Sequence, residues 1–311
     1  MKRHEAWRAE YRANRYLRDA SIEAIERRSQ DICTNMMNVS DAGQLTPGNV
    51  KEGQSMFWWI MWTHILEELA LRQAPYGSVK LMEPKQFPWI SHPEAPRGLR
   101  ILGKNKVGPN DLVRLGQKEH IKDAINYGRL RIAPAASYAD PSLNPAIHDD
   151  ELSVTAVRSG DTAVIHAVDP VTGQQGEAIS AIGEIQYSRR LQENFYVMCM
   201  SASYLPRLLD DFGANAMLVV KNVNRFIIRI EKAVKKFRPD LVMVGNVVNY
   251  YDPYRVKPHD LEPFFAKNFR YAYQREYRFV WHAPGLPLDC EPFFVEIGPM
   301  QQIASIHTLR E

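Results

Sequence analysis

Six prolines and four glycines crowd residues 75–110, and the hydrophobic pattern changes across that stretch. Residues that fix φ or leave it free interrupt regular structure, so the stretch predicts a boundary between two differently built regions. Before it, Trp7, Tyr11, Leu17, Ile22 and Ile25 recur at near-helical spacing among Arg and Glu, which predicts an amphipathic helix. Gly43, Pro47 and Gly48 predict a loop over 41–49, and a second helix is predicted over 52–72 with Trp58, Trp59 and Trp62 in the core. Beyond residue 110 the pattern breaks into short β-like runs at 111–115, 130–133, 152–158, 162–168, 179–187, 195–201, 217–221, 241–250, 277–282 and 292–297. The turn Asp169-Pro-Val-Thr-Gly173 predicts that its flanking strands form a hairpin. Helices are predicted from about Glu119 to a left-handed stop at Gly128, and from an N-cap at Asn224 to Phe237. Many strands with few helices lack the βαβ rhythm of a doubly wound fold, so the expectation is α+β. A helical region over 1–100 would precede a mixed β domain over 101–311.

Composition narrows the function classes. A chain of 311 residues with 45% hydrophobic content can bury a large core, and a net charge of +3 permits a nucleic-acid partner without requiring one. The three cysteines, Cys33, Cys199 and Cys290, lie far apart and suit a reducing compartment. The charged N-terminus does not read as a signal peptide, and the apolar run from Met56 to Leu66 is too short to span a bilayer. A cytoplasmic protein with no membrane partner is the expectation. The sequence carries no G-x-G-x-x-G after a strand, no G-x-x-x-x-G-K-[ST], no G-x-S-x-G and no H-E-x-x-H, and its nine histidines are scattered singly. Phosphate-loop, serine-hydrolase and metal-centred chemistry therefore have no support.

Four segments remain. Leu112-Val-Arg-Leu-Gly116 is a strand with a central arginine, and Gly128-Arg-Leu-Arg-Ile-Ala-Pro-Ala-Ala-Ser-Tyr-Ala-Asp-Pro141 leads from a helix stop into an Asp-Pro turn. Tyr196-Val-Met-Cys-Met-Ser-Ala-Ser-Tyr204 is an apolar strand that ends in two hydroxyls. In Tyr273-Gln-Arg-Glu-Tyr-Arg-Phe-Val280, alternation would put Gln274 and Glu276 on one side of a strand.

A strand arginine, then Ser-x-Ser at a strand end, then Gln-x-Glu entering a late strand resembles the Arg–Ser–Glu signature of ADP-ribosyltransferases. Over about residues 110–300 the chain also resembles a large bacterial family with the pattern G-x-L-R-F-S-x-P-x-S-F-N-D-P, C-F-S and E-x-E-Y-R. Within it, the chain is similar to mRNA-modifying toxins of anti-phage toxin–antitoxin–chaperone systems. It departs from the pattern at Ala139, where Asn is usual, at Tyr138, and at Gln274, which replaces the first acid of E-x-E.

The resemblance implies an ADP-ribosyltransferase-like core, NAD as co-substrate, an RNA acceptor and an antitoxin partner. Glu276 would stabilise the positive charge developing on the ribose as nicotinamide leaves. Gln274 would orient a neutral nitrogen nucleophile, since Gln in this place moves acceptor choice away from arginine. Ser201 and Ser203 would brace the glutamate and the ribose, and Arg114 would bind the pyrophosphate or a ribose. Tyr138 and Tyr204 would stack on nicotinamide or the acceptor base, and Asp140 would shape a loop over the cofactor. Arg229, Lys232 and Lys236, on a basic helix face, would contact RNA phosphates. The Arg-rich first helix is open to RNA or to an antitoxin. Each residue also has a plain structural account: Glu276 as a surface carboxylate paired with Arg275 or Arg278, Arg114 as a surface partner of Asp111, and the basic helix as a solvated face. An NAD glycohydrolase, a protein-modifying transferase, and a non-catalytic RNA- or antitoxin-binding protein are the alternatives.

Overall fold

The computed structural model describes residues 2–39, 45–47, 53–75, 77–83 and 107–308. The early part holds helices α1 (Arg3–Ala13), α2 (Ile22–Met36) and α3 (Gly53–Leu71), with a short hairpin of β1 (Met37–Val39) and β2 (Leu45–Pro47) between the last two. Where one first helix is predicted there are two. Ser21 accepts a hydrogen bond from the backbone N–H of Ala24 and so starts a new helix, and Asn14 ends the one before. The predicted loop over 41–49 is likewise cut by β2, and most of the predicted boundary stretch lies outside the described residues.

The three helices enclose Tyr11, Leu17, Ile25, Ile32, Trp58, Met61 and Ile65, with Trp59 and Trp62 packed against that core as predicted. A buried carboxylate, Glu68, sits inside it. Glu68 accepts from the Tyr11 hydroxyl, from Arg15 at 2.8 and 2.9 Å and from Arg72 at 2.6 Å. Arg8 and Arg12 pair with Glu67 in the same way. Much of the Arg-rich character of α1 and its following turn is thus directed at α3.

The later part carries β3 (Leu112–Gly116), α4 (Lys118–Tyr127), β4 (Arg129–Pro134), β5 (Ser153–Ser159), β6 (Ile165–Val168), β7 (Gln175–Ile179), β8 (Glu184–Arg190) and β9 (Tyr196–Ser201). A single-turn helix α5 (Leu208–Asp211), β10 (Ala216–Val220), α6 (Val223–Phe237), β11 (Val242–Val247) and β12 (Asn249–Tyr251) follow. The chain continues through β13 (Ala266–Asn268), β14 (Glu276–His282), β15 (Phe293–Glu296) and β16 (Ala304–Thr308). The main sheet runs β11-β14-β9-β3-β10-β16, with β4 branching from β9 and carrying β15 on its other side. Its pairs are antiparallel, so helices and antiparallel strands together make a mixed α+β protein.

Helices α4 and α6 cover one face of this sheet. Ile121, Phe226, Ile230 and Val234 pack there against Leu218, Met198, Phe279 and Trp281. Strand alternation sends Cys199, Ser201, Glu276, Arg278 and Val280 to the opposite face. Gly128 ends α4 with φ 69°, and a Cβ there would lie 2.3 Å from the carbonyl oxygen of Gly298. Gly128→Ala is therefore expected to destabilise the protein by about 3 kcal/mol, combining left-handed strain with that collision. Urea unfolding measures it, and a loss under about 0.5 kcal/mol, the range of a neutral surface change, would contradict it.

Several predicted boundaries move for local reasons. The N-cap of α6 is Asn222, whose side chain accepts from the N–H of Arg225, rather than Asn224. The predicted run over 179–187 divides into β7 and β8 around Gly183, which has φ 79°. The turn predicted after Asp169 does join antiparallel β6 and β7, with the Asp169 carboxylate accepting from the N–H groups of Val171 and Thr172. Strand β16, an edge of the main sheet, was not legible as a strand. Among the described residues, no helix is long and apolar enough to cross a membrane.

Candidate active site

Strand β9 is where the sheet forks. On one side it pairs with β14 along its length, Ser201 opposite Glu276 and Val197 opposite Val280. On the other side it is shared: β4 meets its start at Ala133↔Val197, and β3 meets its end at the single pair Val113↔Ser201. Between those two contacts the strands part and leave a cavity of about 360 Å³. Consecutive residues line it, from Val113 to Gln117 and from Met198 to Ser201. A hollow resting on one sheet face would be lined by alternate residues instead.

Arg114, Tyr138, Ser201 and Glu276 all line this cavity. The guanidinium of half-buried Arg114 makes no hydrogen bond or ion pair among the described residues, while Asp111, the partner its sequence neighbourhood suggested, is engaged by Lys221 at 2.6 Å. Burial lowers the Arg114 pKa from its ordinary value, and an arginine stays charged through such a shift. Burial pushes the Tyr138 hydroxyl up, so it is neutral. Ser201 is buried, and its hydroxyl has no protein partner among the described residues.

At the carboxylate end stands a buried quartet that the sequence did not announce. Glu276 accepts from Lys267 Nζ at 2.7 Å and from Arg278 Nε at 3.1 Å. Glu151, just ahead of β5, lies 3.3 Å from Lys267 Nζ and 2.5 Å from Arg278 Nη2, the latter an ion pair without hydrogen-bond alignment. Two anions and two cations leave the group neutral. Burial alone would raise the Glu276 pKa, but Lys267 and Arg278 outweigh it and hold the carboxyl below its ordinary value. Lys267 is driven well above its ordinary pKa: burial opposes the charge, and Glu151 and Glu276 overcome that opposition. Both remain ionised at neutral pH. The backbone N–H of Glu276 donates to the Tyr250 hydroxyl at 2.8 Å, which fixes the start of β14.

Gln274 lies elsewhere. The chain ahead of β14 is a 3-10 turn over Phe269–Gln274, and Arg275 is left-handed with φ 47°. That break cancels the strand alternation that would have placed Gln274 beside Glu276. Its amide is fully buried, donating to the carbonyl of Ala146 at 2.7 Å and accepting from Lys267 at 3.4 Å. Gln274 braces Lys267 and does not line the cavity.

The other assignments also divide. Ser203 stands outside the cavity and accepts from Arg275 at 3.4 Å. Tyr204 packs against the cluster of Leu209 and Met217 instead of lining the cavity. Asp140 is exposed and caps its own turn through the N–H of Ser142 at 2.9 Å, a contact that lowers its pKa. Arg229, Lys232 and Lys236 lie on α6, across the sheet from Glu276, and Arg229 donates to the carbonyl of Pro299 at 2.7 Å. In their place the cavity recruits Arg131, His120, Cys199, Glu151 and Lys267. Exposed Arg131 is a second guanidinium with no hydrogen bond or ion pair among the described residues. Burial pushes the Cys199 thiol up to about 12, so it stands in the cavity wall as a neutral thiol.

The segment that delivers Glu276 is held by the helical region. Asn35 of α2 accepts from the N–H of Tyr273 at 2.7 Å and donates to the carbonyl of Phe269 at 3.1 Å. Arg207 donates to the carbonyl of Thr34 at 2.5 Å and stacks 4.0 Å over the Tyr273 ring. Arg28 and Asp252 form a buried bidentate pair at 2.8 and 2.6 Å between the same parts.

The chain matches no family of known proteins, no curated protein and no solved structure. The functional reading therefore rests on the residues and on how the fold assembles them.

Proposed function

We propose that the chain is a mono-ADP-ribosyltransferase that cleaves NAD and passes ADP-ribose to a base of RNA, as a cytoplasmic toxin in anti-phage defence. One observation carries the reading: Arg114, Ser201 and Glu276, distant in sequence, line one cavity at the fork of the sheet. The lining fits such a dinucleotide, with an unpaired guanidinium for phosphate, an unpartnered hydroxyl and an ionised carboxylate for ribose, and the Tyr138 ring for nicotinamide. About 360 Å³ suits the reacting half of the molecule better than the whole of it enclosed.

Departure of nicotinamide leaves positive charge on the ribose, so a carboxylate that cannot take up a proton is the useful neighbour. Glu276 is such a group, because Lys267 and Arg278 hold it ionised. A carboxylate with a raised pKa would suit proton donation, but nicotinamide leaves as a neutral molecule and needs none.

The RNA acceptor rests on the family resemblance. Exposed Lys232 and Lys236 would hold RNA phosphates away from the reacting base, behind the sheet. A second reading, NAD glycohydrolase, draws support from Gln274, whose buried and engaged amide offers nothing to an acceptor. Incubating the protein with labelled NAD in the presence of RNA, DNA or protein separates these readings. Label on RNA is the expected result. Label only in free ADP-ribose would favour hydrolysis, and intact NAD with retained RNA binding would favour a non-catalytic binding protein.

A further inference from the structure

The carboxylate that Gln274 replaces in sequence has a counterpart in space. Glu151 lines the same cavity as Glu276, and Lys267 Nζ stands between them, 2.7 Å from Glu276 Oε1 and 3.3 Å from Glu151 Oε1. The two oxygens are therefore no farther apart than the sum of those distances. Two carboxylates that line one cavity at that separation, bridged by one ammonium, are close enough to serve one bound ribose and the acceptor that approaches it. They arrive from different places: Glu276 opens β14 in the row with Ser201, and Glu151 comes from the wall that also supplies Tyr138, Ala146 and Ile147.

We infer that Glu151 is the second carboxylate of the site, the group that takes the acceptor's proton. The inference rests on the ADP-ribosyl transfer proposed above. In that step the bond between ribose C1′ and the nicotinamide nitrogen breaks, and its electron pair leaves with nicotinamide. The acceptor nitrogen supplies the pair for the new bond to C1′ and sheds one proton. The proton passes to a Glu151 oxygen and then to solvent, so charge and atoms balance with no further reactant. Division of labour follows from surroundings. Glu276 holds aligned hydrogen bonds from both cations, whereas the Glu151 contact with Arg278 is unaligned, which leaves Glu151 the freer acceptor.

Parallel assays of nicotinamide release and RNA labelling test the assignment, using full-length wild type, Glu151→Gln and Glu276→Gln. Glu151→Gln is expected to lose RNA labelling by about 100-fold, the usual range for a lost proton acceptor, while nicotinamide release falls distinctly less, the ADP-ribosyl group passing to water instead. Glu276→Gln is expected to lose both. Full RNA labelling by Glu151→Gln overturns the assignment, and so does a parallel loss of release and labelling in a folded variant that still binds NAD. If Glu151→Gln does not fold, Glu151→Asp, which keeps the charge but withdraws it by one methylene, is read by the same ratio. A wild type that never consumes NAD would defeat the transferase reading itself, a different failure from a Glu151→Gln that transfers normally.

Discussion

Replacing Glu276 by glutamine is expected to slow nicotinamide release from NAD by about 100-fold or more while NAD still binds. The substitution keeps the size and shape of the side chain and removes the charge that the proposed reaction places beside the ribose. Because Glu276 also completes the buried quartet with Lys267, Arg278 and Glu151, stability falls too, by about 1–3 kcal/mol for a charged hydrogen-bonding partner lost. Rate and stability are separable, since a folded variant with normal NAD affinity and a collapsed rate locates the loss in the chemical step. Growth arrest on expression should disappear with Glu276→Ala. Undiminished NAD cleavage by Glu276→Gln would remove this residue from the mechanism.

Lys267→Met should be the most destabilising change at the site. The ammonium is buried and shared between Glu151 and Glu276, and its removal leaves two carboxylates facing each other with Arg278 alone to balance them. Breaking a buried pair in this way costs about 3–5 kcal/mol. The sign of the pH effect follows from the Glu276 shift. In the intact protein its folded pKa is depressed below 4.5, so its ionised form adds stability that is complete above the unfolded value and is lost as pH falls through the folded one. Activity that needs this carboxylate ionised is therefore flat from neutrality to below pH 4.5. Without Lys267, burial is less opposed, the Glu276 pKa rises, and the acid limb of the pH–rate profile moves upward. A variant profile that overlays that of the wild type would show that Lys267 does not control the charge of Glu276.

The sequence disclosed the ends of this site better than its middle. Arg114, Ser201 and Glu276 were legible because each sits in a short apolar strand, where a polar side chain stands out and order along the chain can be matched to a signature. Gln274 misled for a physical reason: period-2 reasoning holds only while the backbone stays extended, and the left-handed Arg275 resets it one residue before β14 begins. Glu151 and Lys267 were invisible because their significance is purely spatial. Glu151 ends an Asp-Asp-Glu run that reads as a turn, and Lys267 sits in a three-residue strand too short to carry a pattern. A lysine immediately after Phe-Phe-Ala was the available hint, since a cation in an apolar run must find a partner if buried. Arg278 was named only as a surface partner of Glu276; it is that partner, fully buried. The basic face of α6 was read correctly as amphipathic, but periodicity could not say on which side of the sheet the helix would lie.

The central claim, that the fork of the sheet is an NAD site, is tested most directly by calorimetric titration of NAD into Glu276→Gln, which should bind without consuming it. One equivalent should bind, and adding Arg114→Ala should weaken that binding by about 10- to 100-fold, the worth of a charge-assisted phosphate contact. An absence of NAD binding, or an affinity indifferent to Arg114, would contradict the account.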